Sequence, residues 1–383
     1  MWSHEDKEKE ILRNFRETLG TKETRTCTFN WDDLELDSVQ LTGLDNLFTE
    51  QEIWTAITLM PAEKAPGPDG FTGDFFRSCW PIIKLDVVAA FHSIYNLNTG
   101  PLPKLNSASI ILLPKKEQAD RVKDYRPISL IHSFAKFFMK VLALRVAPAM
   151  DNLISNCQSA FIKTRCIQDN FLYVRNLARA YHRTKTPALL LKLDISKAFD
   201  SVSWEYMFEL LQQRGFPARW RNWLALFFSS SSSSVLLNGV SGPTILHQRG
   251  LRQGDPLSLY LFILAIDPLQ KKFQLAAEEG SLSALRGRHA RLRLSLYADD
   301  AVIFLNPVRE EVEMVIQIMR SFGDATGLRI NLEKSSVAAI QCQNIDLDNV
   351  LAAFPGQQVS FPITYLGIPM VLGRLRIAHI QPV

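Results

Sequence analysis

The stretch Arg291-Leu-Arg-Leu-Ser-Leu-Tyr297-Ala298-Asp299-Asp300-Ala301-Val-Ile-Phe-Leu305 decides how this chain is read. Its first seven residues alternate strictly, the period of a strand with one buried face, and its last five form a continuous apolar run of strand length. Two strands separated only by Ala298-Asp299-Asp300 make a hairpin with paired aspartates at its turn. Adjacent carboxylates raise one another's pKa unless something positive neutralises them. An isolated Asp-Asp is also simply a good polar turn, so the flanking sequence must decide.

Upstream, Pro187-Ala-Leu-Leu-Leu-Lys-Leu193 is a short apolar strand that ends at Asp194. If this strand lies beside the hairpin, three carboxylates converge. Such a set suits two hard cations such as Mg²⁺, about 3.5–4 Å apart, that stabilise the attacking and leaving oxygens of an in-line phosphoryl transfer.

Further out, Thr49-Glu-Gln-Glu-Ile-Trp-Thr-Ala-Ile reads as a capped helix, broken by Ala65-Pro66-Gly67-Pro68-Asp69-Gly70. Everything before it is expected to be a linker. Helical spacing covers Gly73 to Asn96, Phe134 to Met150, Asp169 to His182, Ser203 to Arg214, Pro217 to Phe228 and Arg309 to Ala325, the last ended by Gly327. A further helix is expected from Asp255 to about Leu275. Strands are expected at Ser107 to Leu113 and Ser335 to Ile340, with a hairpin over Val235 to Leu246; the six serines from Ser229 to Ser234 read as a linker. The element order is α+β, with helices on one face of the sheet that carries Asp194, Asp299 and Asp300.

Composition is that of a globular protein: 383 residues, 47% hydrophobic and 21% charged, which excludes disordered and collagen-like classes. The five cysteines are scattered without a Cys-x-x-Cys pair, against a disulfide framework or zinc knuckle and in favour of a reducing compartment. The N-terminus lacks the basic start and apolar run of a signal peptide, and no apolar stretch approaches the roughly 18 residues of a membrane span. The expected location is therefore intracellular, nuclear or cytoplasmic. Net charge is only +4, but it is sorted along the chain: residues 1–50 hold 6 basic and 12 acidic side chains, residues 101–150 hold 9 and 3. A basic block of this kind is where a phosphate-rich partner sits, although charge runs also serve as solvated faces.

Three strings in order, Leu193-Asp194-Ile195-Ser196-Lys197-Ala198-Phe199-Asp200, Arg249-Gly250-Leu251-Arg252-Gln253-Gly254-Asp255-Pro256-Leu257-Ser258 and Tyr297-Ala298-Asp299-Asp300, resemble the palm motifs of reverse transcriptases. The flanks Ala65 to Gly70, Tyr125-Arg126-Pro127-Ile128-Ser129-Leu130, Gly327 to Ser335 and Tyr365-Leu366-Gly367 are most similar to non-LTR (LINE-type) retrotransposons of plant genomes. The resemblance runs from about Phe48 to the C-terminus. It implies a right-hand polymerase fold of fingers and palm, with an antiparallel palm sheet covered by helices. It divides the chain into an acidic linker or N-terminal extension (1–47), fingers and palm (48–335), and the palm end, primer-grip region and truncated start of a thumb (336–383).

The same resemblance implies roles. Asp194, Asp299 and Asp300 match the metal-binding carboxylates, with the Ile195 carbonyl a further ligand, for two Mg²⁺ ions or Mn²⁺ in their place. Lys334 matches a lysine acting as general acid at the pyrophosphate leaving group. Lys115 and Arg126 hold the triphosphate, with Lys116 an equal candidate for the lysine. Phe199 is the ring that rejects a 2′-hydroxyl, and Gln253-Gly254 the nucleotide-contacting turn. Tyr365, Leu366 and Gly367 match the hairpin that grips the primer end by shape and stacking. Asp200 is expected to cap the next helix and takes no catalytic role.

The implied partners are an RNA template, a DNA primer and dNTPs, with no membrane and no oligomeric state specified. Only 16 residues follow Gly367, fewer than a three-helix thumb needs, so a shortened thumb and poor processivity are expected. The rival readings are a catalytically silent RNA-binding remnant and an intron maturase, the latter lacking its splicing domain here.

Overall fold

The computed structural model describes residues 3–98, 100–287, 290 and 292–373. The chain forms two compact units, each assembled from separated stretches: Met1–Thr24, Asp37–Met150 and Phe199–Phe262 in the first, Arg25–Leu36, Asp151–Ala198 and Ile263–Val383 in the second.

The first unit is built on a five-stranded sheet. Strand β1 (Ser107–Pro114) runs antiparallel to β2 (Tyr125–Ile131) and parallel to β4 (Ser232–Leu237), which in turn pairs with β5 (Val240–Ser241) and β6 (Ile245–Leu246). The β4–β5 hairpin forms as expected, through Asn238-Gly239, both at positive φ, the pair that a two-residue turn of this kind selects. The serine run is not a linker. Ser232, Ser233 and Ser234 pair with Ser107, Ala108 and Ser109, because the strand started by Val235-Leu-Leu continues backwards and small side chains fit its buried position.

Residues expected to be a linker also fold. Ser3 and Asp6 form a capping box that opens the His4–Leu19 helix. Ile11, Leu12, Phe15 and Leu19 make an i, i+3/i+4 stripe on this otherwise highly charged helix, and they pack with Ile110, Leu112, Val122, Val235 and Ile245. The helix Glu50–Thr58 starts at the expected Thr49–Glu52 capping box, and Gly73–Tyr95 and Ser133–Val146 follow the apolar spacing.

The second unit centres on a sheet of order β10-β9-β3-β8-β7. Strand β3 (Ala188–Leu193) lies between β8 (Asp300–Leu305) and β9 (Ser336–Ile340), antiparallel to both, and β7 (Leu294–Tyr297) closes the hairpin onto β8. The sheet is not antiparallel throughout: β10 (Gln357–Val359) is parallel to β9. Arg291, expected to begin the first hairpin strand, lies outside the described residues, as do residues 374–383 of the expected thumb start. A separate hairpin joins β11 (Ile363–Tyr365) to β12 (Ile368–Met370).

The Ile167–Thr184 helix covers one face of this sheet, setting Val174, Leu177, Ala178 and Tyr181 against Leu190, Val302, Phe304, Ala338 and Ile340. The expectation of a single covered face falls short, since Leu189, Leu191, Ala301 and Ile303 on the opposite face are also buried. Burial on both sides is why β3 reads as a continuous apolar run. The helix expected from Asp255 to Leu275 is two, Ser258–Ile266 and Pro268–Glu278; Pro268 has no N–H to continue the ladder, and the Asp267 carboxylate turns to accept from Ser155.

Candidate catalytic carboxylate site

Strand register brings the three sequence-predicted aspartates to one end of the second unit's sheet. Leu193 pairs with Ala301, so Asp194, the next residue of that chain, leaves β3 beside Asp300 at the start of β8. Asp300 pairs with Tyr297, which leaves Ala298 and Asp299 as the two turn residues; Asp300 is the first strand residue rather than part of the turn.

The environment of these groups is consistent with their sharing one locus. Burial pushes the Asp300 carboxyl above the ordinary carboxylate range, Lys192 opposes this, and the Asp299 and Asp194 charges add to it. Asp194 and Asp299 are exposed. Among the described residues no group of three or more His, Cys, Asp or Glu side chains is placed so as to hold a metal ion. An all-oxygen donor set of this kind is the chemistry that hard divalent cations take. The donor types, though not yet gathered, are those such a cation takes.

Two supporting residues escaped the sequence reading. Lys192 stands two positions before Asp194, hence on the same face of β3, and its ammonium donates to the Thr364 carbonyl at 3.0 Å. Ser335, almost fully buried, accepts from the Asp194 backbone N–H at 3.1 Å and donates to the Asn331 carbonyl at 2.8 Å. Asn331 N–H donates back to the Asp194 carbonyl at 2.8 Å, and Ile195 bridges Ile330. Lys334, exposed, therefore sits on a turn tied directly to Asp194.

The Tyr365-Leu366-Gly367 hairpin differs from its expected role. Tyr365 is 0% exposed, its ring stacked on Phe171 and its hydroxyl 3.3 Å from that of Ser295; burial pushes it up to about 12. A ring so enclosed cannot stack on a base. Tyr365 anchors the hairpin, whose tip turns through Leu366 and Gly367 at φ +49° and +77°; Leu366 packs partly against the core, while Gly367 and Ile368 are exposed.

The remaining predicted residues belong to the first unit. Leu113 pairs with Arg126 and Pro114 with Tyr125, so Lys115 and Arg126 share one end of the β1–β2 hairpin. Arg126 is exposed. The Lys115 ammonium donates to the Lys123 carbonyl at 2.9 Å, while Lys116 pairs with Asp124 at 3.1 Å and lowers that carboxyl to about 2.

Phe199 lies on the short Ala198–Ser201 helix, its ring stacked on Phe262 with centroids 4.5 Å apart. Its carbonyl accepts from Leu251 N–H at 2.6 Å, and Gly250 N–H donates to Val202. The Trp204 indole N–H donates to the Gly250 carbonyl at 2.8 Å. Gly254 (φ +111°) leaves the loop where a Cβ would stand 3.0 Å from the Ser129 carbonyl, and Gln253 accepts from Ser129 N–H. The helix cap expected at Asp200 falls instead to Ser203, whose hydroxyl accepts from Tyr206 N–H.

Comparison with known proteins follows the same lines. A family model described as reverse transcriptase (RNA-dependent DNA polymerase) matches residues 113–370. The chain is 32% identical over 314 residues to the transposon TX1 uncharacterized 149 kDa protein of Xenopus laevis, covering 81% of this chain and 23% of that protein. It is 28% identical to the Retrovirus-related Pol polyprotein from type-2 retrotransposable element R2DM of Drosophila melanogaster (79% and 28%), and 26% identical to the RNA-directed DNA polymerase from mobile element jockey of the same fly (80% and 32%). The chain thus spans about a quarter to a third of the length of these relatives. Among the described residues no helix is long and apolar enough to cross a membrane.

Proposed function

The chain belongs to the reverse transcriptase family, among the proteins of non-LTR retrotransposable elements, and from that premise we propose that it extends a DNA primer on an RNA template with dNTPs. The observation that carries this reading is the β3–β8–β7 register, which makes Asp194, Asp299 and Asp300 neighbours at one sheet end. The second unit is read as palm and the first as fingers.

Asp194, Asp299, Asp300 and the Ile195 carbonyl are the groups that would hold two divalent cations, Mg²⁺ or Mn²⁺. When bound, such ions neutralise charge on the reacting phosphate oxygens, the main requirement of a phosphoryl transfer. The chain's own side chains do the rest. Lys192 offsets part of the negative charge between turnovers. Lys334, on the turn fastened to Asp194, is assigned the proton for the pyrophosphate leaving group. Arg126 grips the triphosphate by its fork, with Lys115 or Lys116 adding charge once released from Lys123 or Asp124.

Phe199 is assigned the exclusion of ribonucleotides, its plane supported by Phe262, and Gln253-Gly254 the close approach of backbone to nucleotide. The Leu366–Gly367 tip is assigned the primer end, with Tyr365 as its buried anchor. RNA and dNTPs as substrates put this work inside the cell, in nucleus, cytoplasm or both.

Primer extension by the purified chain, with an RNA template, dNTPs and Mg²⁺, tests the reading against Asp299→Asn. We expect extension by the wild type and a loss of about a thousandfold in the variant. If both bind RNA equally and neither extends, the chain is a catalytically silent RNA-binding protein instead.

A further inference from the structure

The turn between β7 and β8 holds an uncommon backbone. Ala298 sits at φ +52°, the left-handed region that residues with a Cβ avoid and that glycine or asparagine normally fills at a two-residue hairpin. A strained residue directly before Asp299 and Asp300 needs something to hold it.

Gln158 does so from 140 positions away. Its side chain is fully buried (0% exposed). Its Oε1 accepts from the Ala298 N–H at 3.0 Å and from the Ala160 N–H at 2.9 Å, and its Nε2 donates to the Ala298 carbonyl at 3.4 Å. Both backbone polar groups of one turn residue are thus taken by one side chain.

The frame that presents Gln158 is itself fixed. Leu296 N–H donates to the Cys157 carbonyl at 2.7 Å and Ser159 N–H to the Leu296 carbonyl at 3.3 Å, extending the sheet along β7. The Arg165 guanidinium donates to the carbonyls of Asp151, Ile154, Ser155 and Gln158. Asn170 secures the same strand, donating to the Leu296 carbonyl at 2.7 Å, the Ser295 hydroxyl at 3.0 Å and, more weakly, the Cys157 carbonyl at 3.4 Å, without touching the turn.

We propose that Gln158 is a positioning residue for the carboxylate pair: its amide locks the Ala298 peptide in the left-handed state and thereby keeps Asp299 and Asp300 beside Asp194. The proposal rests on the polymerase reading for its catalytic consequence, but the lock is a property of the fold alone.

Three variants of the full chain test it: Gln158→Met, which keeps the volume and removes the amide; Asn170→Ala, which loosens β7 without reaching the turn; and Gln158→Met combined with Ala298→Gly. Amide hydrogen exchange of residues 297–301 is read by mass spectrometry, beside thermal melting and primer-extension kcat and dNTP KM. We expect the Ala298 amide to be protected in the wild type and to exchange about tenfold faster in Gln158→Met, from the lost buried acceptor. kcat should fall about tenfold or more at nearly constant KM. Glycine at 298 should recover most of that kcat, because it adopts positive φ unaided.

An unprotected Ala298 amide in the wild type overturns the proposal even if Gln158→Met fails to fold. So does a kcat loss that Asn170→Ala reproduces at equal loss of melting temperature, or one that Ala298→Gly leaves unrelieved. Should the wild type extend no primer, the proposed function fails while the exchange data still decide whether Gln158 holds the turn.

Discussion

Replacing Gly250 with alanine should damage the first unit more than its single methyl group suggests. Gly250 lies at φ +82°, where a Cβ costs about 1–2 kcal/mol. The added atom would also stand 2.6 Å from the Asp200 carbonyl oxygen and 2.8 Å from its carbon, both backbone and unable to swing aside. To relieve that contact the loop must move off the Phe199–Val202 segment. This breaks three hydrogen bonds, from Gly250 to Val202, from Leu251 to Phe199 and from Trp204 to Gly250, each worth about 1 kcal/mol. The sum is about 4–5 kcal/mol, a large share of the roughly 5–15 kcal/mol that holds a domain together. Trp54, Trp80, Trp204, Trp220 and Trp223 all belong to this unit, so tryptophan fluorescence in a urea titration reports its unfolding. The same displacement moves Phe199 and Gln253, and selectivity for dNTPs over ribonucleotides should weaken. A loss below about 1 kcal/mol with unchanged selectivity would refute the reasoning.

Phe199→Val should admit ribonucleotides more readily with dNTP addition largely intact; unchanged discrimination in single-nucleotide incorporation removes the gate assignment. Phe15→Ala should cost about 3 kcal/mol in the same urea assay, since the ring is buried between the N-terminal helix and the β1–β4 sheet; a loss under 1 kcal/mol would return that helix to the status of a loose extension. His247 is lowered to about 3, chiefly by burial and then by Arg252. An unfolded histidine takes its proton near pH 6.5, so stability drains as pH falls from about 6.5 toward 3, by up to about 5 kcal/mol. Asp255 works oppositely: burial raises it to about 6, giving stability that is fully present below about pH 4 and lost as pH rises through 6. His247→Gln should therefore flatten the acid loss and Asp255→Asn should steepen it; melting curves at pH 4 and pH 7 that move the other way contradict this.

The sheet around the aspartates was legible because its strands follow the simplest patterns, strict alternation before the turn and an apolar run after it. Lys192 was missed although its signal was there: a charged residue two places before Asp194 must share its face. The N-terminal helix was missed because four apolar residues at i, i+3/i+4 spacing were outweighed by the dense charge around them. The serines of β4 were missed because their strand character depends on β1, more than a hundred residues earlier. Gln158 leaves no local signal at all: its importance lies in the backbone of Ala298, and nothing in the residues beside it announces that contact. Tyr365 shows a subtler failure, in which a residue was placed correctly in its hairpin while the burial of its ring, set by Phe171 and Ser295, reversed what it could do.

The parallel pairing of β4 with β1 has a consequence for synthesis. Ser232 follows Pro114 by 118 positions, so at translation rates of about 5–20 residues per second the edge of β1 waits roughly 6–24 s for its neighbour to leave the ribosome. Throughout that interval the nascent β1–β2 hairpin presents an unpaired strand edge, with Ile110 and Leu112 beside it, to any other chain emerging nearby. A message translated by closely spaced ribosomes would bring several such edges together, making chaperone capture during elongation a determinant of how much protein reaches its folded state.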